Sequence, residues 1–223
     1  MEVFVELPKP VGIGVLYAEG VRPDAELLEL ERRLETLLAR VRSGSLEPEL
    51  EARRRSVRDL LRYGRYKPTG RAKPASEYLL REAQEGRFPR INTVVDISNY
   101  LSLKHLLPIS LWDVDKAGTS AYRFRVGHSG ERYVFNASGQ TLELEDLLVG
   151  CALVGQQERP IVSPVKDALA TKIEPGTRRV AAAVYAPSEA RSSVEALLEE
   201  FAELLLRTAP EARLRHRACY GLS

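Results

Sequence analysis

Three groups of residues have the types and spacing to do chemistry. Asn92, Asp96 and Asn99 recur at three- and four-residue steps, so on a helix they form an amide–carboxylate–amide row along one side. The surrounding segment is built for burial, where polar groups are costly unless hydrogen-bonded. The row must therefore brace a neighbouring segment or face a ligand. A second group lies between Arg159 and Pro175, where Ser163, Lys166, Asp167, Thr171 and Lys172 are interspersed with Pro160 and Pro164. A loop of that length more often carries function than filler. The third is the link GRYKPTGRAKP, residues 64–74, in which Arg65, Lys67, Arg71 and Lys73 surround Tyr66, with Arg62 just upstream. Interleaved aromatic and basic side chains can stack bases and pair phosphates, and the same stretch would also serve as a tether between two lobes.

The net charge of +2 conceals an uneven distribution, because Arg53 to Arg90 holds twelve basic residues against four acidic ones. Concentrated positive charge is what phosphate neutralisation requires. Arginine supplies 26 of the 33 basic residues, and its planar fork suits phosphate. An arginine-rich genome or a heat-adapted host gives the same bias, so a solvated basic face and a nucleic-acid face both fit.

Other chemistries lack their groups. Cys151 and Cys219 make no disulfide framework, although one bridge would be compatible. His105, His128 and His216 show no paired metal-ligand spacing, so neither a metal nor a cofactor is predicted. A Cys–His hydrolase would need partners that only the fold can bring together. Gly12-x-Gly14 has no third glycine and no helix directly after it, which excludes a dinucleotide fingerprint. No apolar run approaches the roughly 20 residues of a membrane helix. The start, MEVFVELPKP, carries Glu2 and Glu6 and lacks the basic and apolar regions of a secretion signal. The expectation is a cytoplasmic protein with no membrane partner.

Positioning these groups falls to a set of strands and helices. Strands are expected at Val3–Leu7 and Gly12–Tyr17, then a helix capped by Asp24 with apolar residues from Leu27 to Val41. A second helix is expected over Pro48–Tyr63, a short one to about Glu85, and a central one over Ile91–Leu107 between Pro89 and Pro108. Ala121–Asn136 reads as a hairpin, YRFRV returning as RYVFN through Gly127–Gly130, with Arg123 and Arg125 on one face. Buried strands follow at Gly150–Gly155 and Val180–Tyr185. In the latter, three alanines admit a closely packed helix or a ligand. A last helix over Glu189–Thr208, capped by Ser188, and a strand over Arg213–Tyr220 complete the chain. The class is α/β (α+β), with mixed β-sheets flanked by helices. Residues 1–66 are the N-terminal strand–helix–helix part of one compact fold, and 67–223 are its main body. The pocket is expected between the central helix and the segment after Gly155.

Several stretches resemble one known family. INTVVDISNYLSL, then Leu107-Pro108 and Trp112-Asp113, is similar to the B3/B4 domain of the bacterial phenylalanyl-tRNA synthetase beta subunit. RDLLRYGRYKPTGRAKPASEYLLREAQEGRFPRIN and LATKIEPGTRRVAAAVYA resemble, more closely still, the stand-alone proteins built from that domain. The likeness runs from about Arg58 to about Ala209. It implies an α/β fold and a partner such as tRNA or aminoacyl-tRNA, with no DNA expected. In the synthetase, the similar domain hydrolyses tyrosine from wrongly charged phenylalanine tRNA. The family's editing histidine falls at Ser110 here, two residues after Pro108. Its glutamate, after a Thr-x-x-Val motif matched by Thr177 to Val180, falls at Ala183. The tyrosine specificity therefore does not transfer.

Ester hydrolysis does not strictly need those two groups, because an aminoacyl ester is activated and positioning supplies much of the rate. The resemblance suggests Ser110, Thr171 and Lys172 as catalytic residues, the lysine stabilising developing negative charge. Asn92, Asp96, Asn99 and Asp113 are the candidate substrate-orienting or bracing residues. Arg62, Arg65, Tyr66, Lys67, Arg71 and Lys73 are the candidate RNA contacts. The expected function is a free-standing hydrolase of mischarged aminoacyl-tRNA or, alternatively, a non-catalytic module binding RNA or an amino acid. The ATP-binding signature of a synthetase is missing.

Overall fold

Strands β2 (Val11–Glu19) and β9 (Arg179–Pro187) are apolar on both faces, and that decides the architecture. A strand buried on both sides needs a layer above and a layer below. The computed structural model, which describes residues 1–8, 11–44 and 48–223, supplies both. β2 and β9 sit at the centre of an antiparallel sheet of order β10-β2-β9-β3, where β3 is Ile109–Asp113 and β10 is Arg213–Tyr220. The second sheet, of order β1-β4-β7-β8, is mixed: β1 (Glu2–Glu6) runs parallel to β4 (Ala121–Val126), while β7 (Leu148–Val154) and β8 (Gln157–Val162) continue it antiparallel.

The two-residue period of the strands sorts their side chains into two cores. Leu16, Ala18, Val180, Ala182, Val184, Ile109 and Leu111 point to the helices α1 (Leu28–Ser43), α3 (Ala75–Gln84), α4 (Thr93–His105) and α6 (Arg191–Leu206). Ile13, Val15, Tyr17, Ala181, Ala183, Tyr185 and Trp112 point to the second sheet, where Trp112 meets Tyr122 edge-on. The three alanines thus divide between the cores. Gly14 lets α6 close in, since a Cβ there would stand 2.5 Å from Val194 Cγ1.

The N-terminal strands and the C-terminal strand match their expected places closely, and the helices differ mainly at their ends. α1 begins after Leu27 without a side-chain cap, so Asp24 does not cap it. α2 (Pro48–Leu60) stops three residues before Tyr63, and α6 begins after Ala190, beyond Ser188. The hairpin is corrected. β4 is paired on one edge by β1 and on the other by β7, so β5 (Arg132–Val134) pairs instead with β6 (Thr141–Glu143). Gly127 makes the departure feasible, because any Cβ there would collide with the Leu144 carbonyl. Arg123 and Arg125 do share a face, where both engage Glu158. The run expected as one loop from Arg159 also begins inside β8 and becomes irregular only after Val162. Cys151 and Cys219 are both free, which removes the single-bridge option.

Gly14→Val should overpack the α6 contact and cost about 1–3 kcal/mol. Urea unfolding would show a lower midpoint at unchanged slope, and an unchanged midpoint would contradict the close-approach role.

Candidate functional site

β3 is an edge strand of the central sheet, bonded only to β9. Its register sets Ser110 directly opposite Ala183, both fully buried on the side facing the second sheet. Ser110 Oγ donates to the Ser163 carbonyl at 3.0 Å and lies 3.0 Å from the Tyr185 hydroxyl. Ser110 Oγ is thus engaged inside the core by Ser163, Tyr185 and Asp167 rather than directed at open space. The expected role as a substrate donor is therefore corrected to one inside the core.

The open edge of β3 is closed by the segment after β8. Asp167 accepts the Leu111 N–H on Oδ2 at 3.0 Å and the Ser163 N–H on Oδ1 at 3.4 Å. Ser163 Oγ and Tyr133 Oη both donate to the Lys166 carbonyl, at 2.9 and 2.6 Å. Loss of hydration pushes the Asp167 carboxyl up to about 7, although the two backbone donors, the Ser110 hydroxyl and the Lys172 charge pull the other way. Burial, with the Asp167 charge as a smaller cause, raises the Tyr185 and Tyr133 hydroxyls well above the usual phenol range, so both stay protonated. Tyr133 and Tyr185 are the members of this group that residue patterns did not single out, and Asp167 was noted within its loop without a role. The proline-studded loop was the available signal.

Of the expected site residues, the structure brings Ser110 and Lys172 around Asp167 and places the others elsewhere. Thr171 closes a 3-10 turn (Leu169–Thr171) on the same segment, its hydroxyl buried without a hydrogen-bond partner, and Lys172 is exposed. α4 packs on the face of β3 that carries Ile109 and Leu111, whereas Trp112 faces the second sheet, so the strand itself stands between that helix and the second-sheet side. Asn92 is the α4 N-cap, accepting the Val95 N–H at 3.0 Å. Asp96 holds the approach to the helix through Arg90 Nε and the Ile91 N–H, both at 2.9 Å. Asn99 is half-buried. Asp113 caps α5 (Val114–Ala117) with one oxygen and takes the Thr177 hydroxyl at 2.6 Å with the other. Asn92, Asp96 and Asp113 each hold neighbouring backbone in place.

The basic stretch resolves into two kinds of residue. Arg53, Arg54, Arg55, Arg58, Arg62, Arg81, Arg87 and Arg90 are all ion-paired, Arg58 with the buried Glu77. That leaves Arg65, Lys67, Arg71 and Lys73, which are exposed and make no ion pair among the described residues. Arg62, also in the expected RNA set, is exposed and paired with the exposed Asp59. Tyr66 is half-buried, its ring packing against the sheet-to-sheet core and its hydroxyl donating to the Ala72 carbonyl at 2.7 Å. The link is tied to the β3-covering segment by the Ala75 N–H on the Pro164 carbonyl at 2.9 Å. Burial and the charge of Arg71 together hold the Lys166 amine below the ordinary lysine range, which places those cations near each other.

A mixed two-sheet core with a closed-over edge strand carrying Ser110 is the frame, and sequence comparison assigns it. Residues 63–203 match the B3/4 domain family, and the chain belongs to that family. A curated relative, the phenylalanine–tRNA ligase beta subunit of Gloeobacter violaceus, is 29% identical over 144 residues, which is 63% of this chain and 17% of that protein. The chain thus spans a small part of that relative's length. An N-terminal fragment of the phenylalanyl-tRNA synthetase beta subunit from Pyrococcus horikoshii superposes with a TM-score of 0.46 at 10% identity, over 98% of this chain and 54% of that one. Among the described residues no helix is long and apolar enough to cross a membrane.

The Asp167 carboxyl predicts a pH effect. Its folded proton affinity exceeds that of an unfolded aspartate, so its contribution to stability is complete below about pH 4 and is lost as pH rises through about 7. Asp167→Asn should therefore gain stability relative to the parent between about pH 4 and pH 8, at roughly 1.4 kcal/mol per tenfold change in proton affinity. Paired urea titrations at the two ends would measure it, and a pH-independent difference would refute the raised value.

Proposed function

We propose that this chain is a tRNA-binding B3/4 module that recognises the aminoacylated end of its partner. The observation that carries the reading is the selective pairing of its basic residues. Eight of the twelve cations between Arg53 and Arg90 are neutralised within the fold, and the four left free all lie on the link joined to the β3-covering segment. Lys166 and Lys172 extend this positive rim from the segment itself. Free cations gathered beside one place on a fold suit a phosphate backbone, whereas internally paired ones do not. The relative's name supports tRNA as the partner: it belongs to a ligase subunit for phenylalanine and tRNA.

Binding is favoured over catalysis by Ser110 and Ala183. Both are wholly buried, and Ser110 spends its hydroxyl within the core. The second reading, a free-standing hydrolase of mischarged tRNA, draws support from Lys172 and Asp167. A carboxyl that titrates near neutrality beside an exposed amine is suited to proton transfer at an ester.

Replacing Arg65, Lys67, Arg71 and Lys73 together by alanine should weaken tRNA binding and flatten its salt dependence. Each lost phosphate contact removes about 0.7–0.9 from the slope of log K against log salt. Arg32→Ala, an exposed change elsewhere, should leave both unaltered; an unchanged slope in the fourfold variant would sink the proposal. Release of amino acid from a panel of charged tRNAs separates the two readings. Selective release that Lys172→Ala abolishes would establish the hydrolase, and no release alongside salt-sensitive binding would leave the module.

A further inference from the structure

We propose that the free edge of β10 joins two copies of this chain in a two-fold dimer whose central sheets continue into one another. This interface is independent of the function proposed above. Of the outer strands in the two four-stranded sheets, β10 is the longest, at eight residues. The others are managed within the chain. β3 is covered by the Asp167 segment, β8 carries Pro160 among its six residues, and β1 is five residues long with Glu2 and Glu6 at its ends. β10 contains no proline and bonds to β2 alone.

Two features of β10 ordinarily guard an edge against pairing, and both leave part of it open. A bulge between Leu214 and His216 interrupts the strand, so its regular edge runs from His216 to Tyr220. Arginines on an edge repel a second basic strand, but Arg215 is paired here with Glu19 and Arg217 with Glu199, while Arg213 donates to the Pro210 and Ala212 carbonyls. Their charge is therefore spent within the chain. Ala218, Cys219 and Tyr220 are only half-buried, which leaves apolar surface beside the edge to be covered.

Charge points to a second copy as the occupant. Between α6 and β10 lies a groove of about 400 Å³ lined by Arg191, Glu195, Leu198, Glu199, Arg217 and Cys219. Its charges form two pairs, Arg217 with Glu199 at one end and Arg191 with Glu195 at the other, where Arg191 also donates to the Leu222 carbonyl. A patch with both signs in equal number complements itself, whereas an acidic or basic partner would meet like charge at one end or the other. Residues directly opposite in an antiparallel pair share a face. A two-fold axis at Ala218 thus sets Arg217 against Cys219 of the second copy on the helix side, and His216 against its Tyr220 on the other side. The small alanines meet at the axis. The same rotation brings the Arg217 end of one groove to the Arg191 end of the other, so that Arg217 can bridge to Glu195 and Arg191 to Glu199 across the interface. With strands about 4.8 Å apart, the two α6 helices lie on one side of the joined sheet near the distance at which helices pack.

Sedimentation of the nucleic-acid-free chain from micromolar to submillimolar concentration should show its mass rising from one chain to two. Glu195→Arg with Glu199→Arg makes the groove wholly positive, and Arg191→Glu with Arg217→Glu makes it wholly negative. All four side chains are exposed, so both double variants keep the fold. Each alone should weaken dimerisation by at least about tenfold through like-charge contact, and an equimolar mixture of the two should restore it. In a Cys219→Ser background, Ala218→Cys places a thiol at the axis and should form an interchain disulfide on air oxidation. A parent that stays monomeric throughout would overturn the proposal. So would a dimer indifferent to both charge reversals, a mixture that fails to associate, or cysteines at residue 218 that do not join.

Discussion

A sheet whose two central strands have no solvated face sets the terms for everything else in this protein. β2 and β9 are buried on both sides, so each must fill two cores at once, and the small residues Gly14 and Ala182 on the helix side are what allow α6 to lie close. Burial on both faces leaves only the sheet's two edges to be reconciled with solvent. The fold treats them differently. β10 presents Arg213, Arg215 and Arg217 outward, while β3 is closed over by the segment carrying Asp167. The candidate site is therefore a by-product of covering an edge. The same carboxylate satisfies one backbone N–H of the edge strand and one of its own segment.

The elements whose shape follows from local chemistry were legible in the sequence. Arg213–Tyr220 reads as a strand and is one, and the prolines flanking α4 bound it to within a few residues. What was not legible depends on which edge a strand finds. YRFRV and RYVFN carry every local sign of a hairpin, yet β4 has both edges taken by strands distant in sequence. A periodic row is ambiguous for a similar reason: Asn92, Asp96 and Asn99 share a helical side, but the first is the cap and the second anchors the entering chain. Asp167 is an ordinary loop aspartate in sequence. Its desolvation arises only when the segment folds onto β3.

Charge shows the same division between composition and structure. The basic excess from Arg53 to Arg90 suggests a uniformly positive face, yet most of it is paired with acids close by in sequence, and Arg53, Arg58 and Arg90 also tie one helix to another. Arg53, for example, reaches the His105 carbonyl and Ser193 as well as Glu49. Only the glycine- and proline-rich link, which cannot form a helix with its own acidic partners, keeps its charges free. The family match covers residues 63–203, whereas β2 and β10, half of the central sheet, lie outside it. The matched region thus depends on flanking segments for its hydrophobic closure.

That dependence has a consequence for how the chain is made. β2 pairs along its whole length with β9, from Val11 opposite Pro187 to Glu19 opposite Arg179. The strand at the middle of the molecule leaves the ribosome long before its partners β9 and β10. At about 5–20 residues per second, VGIGVLYA spends roughly ten seconds or more as an unpaired apolar strand during synthesis. Until β9 arrives, that segment depends on helix contacts or on chaperones to stay out of aggregates.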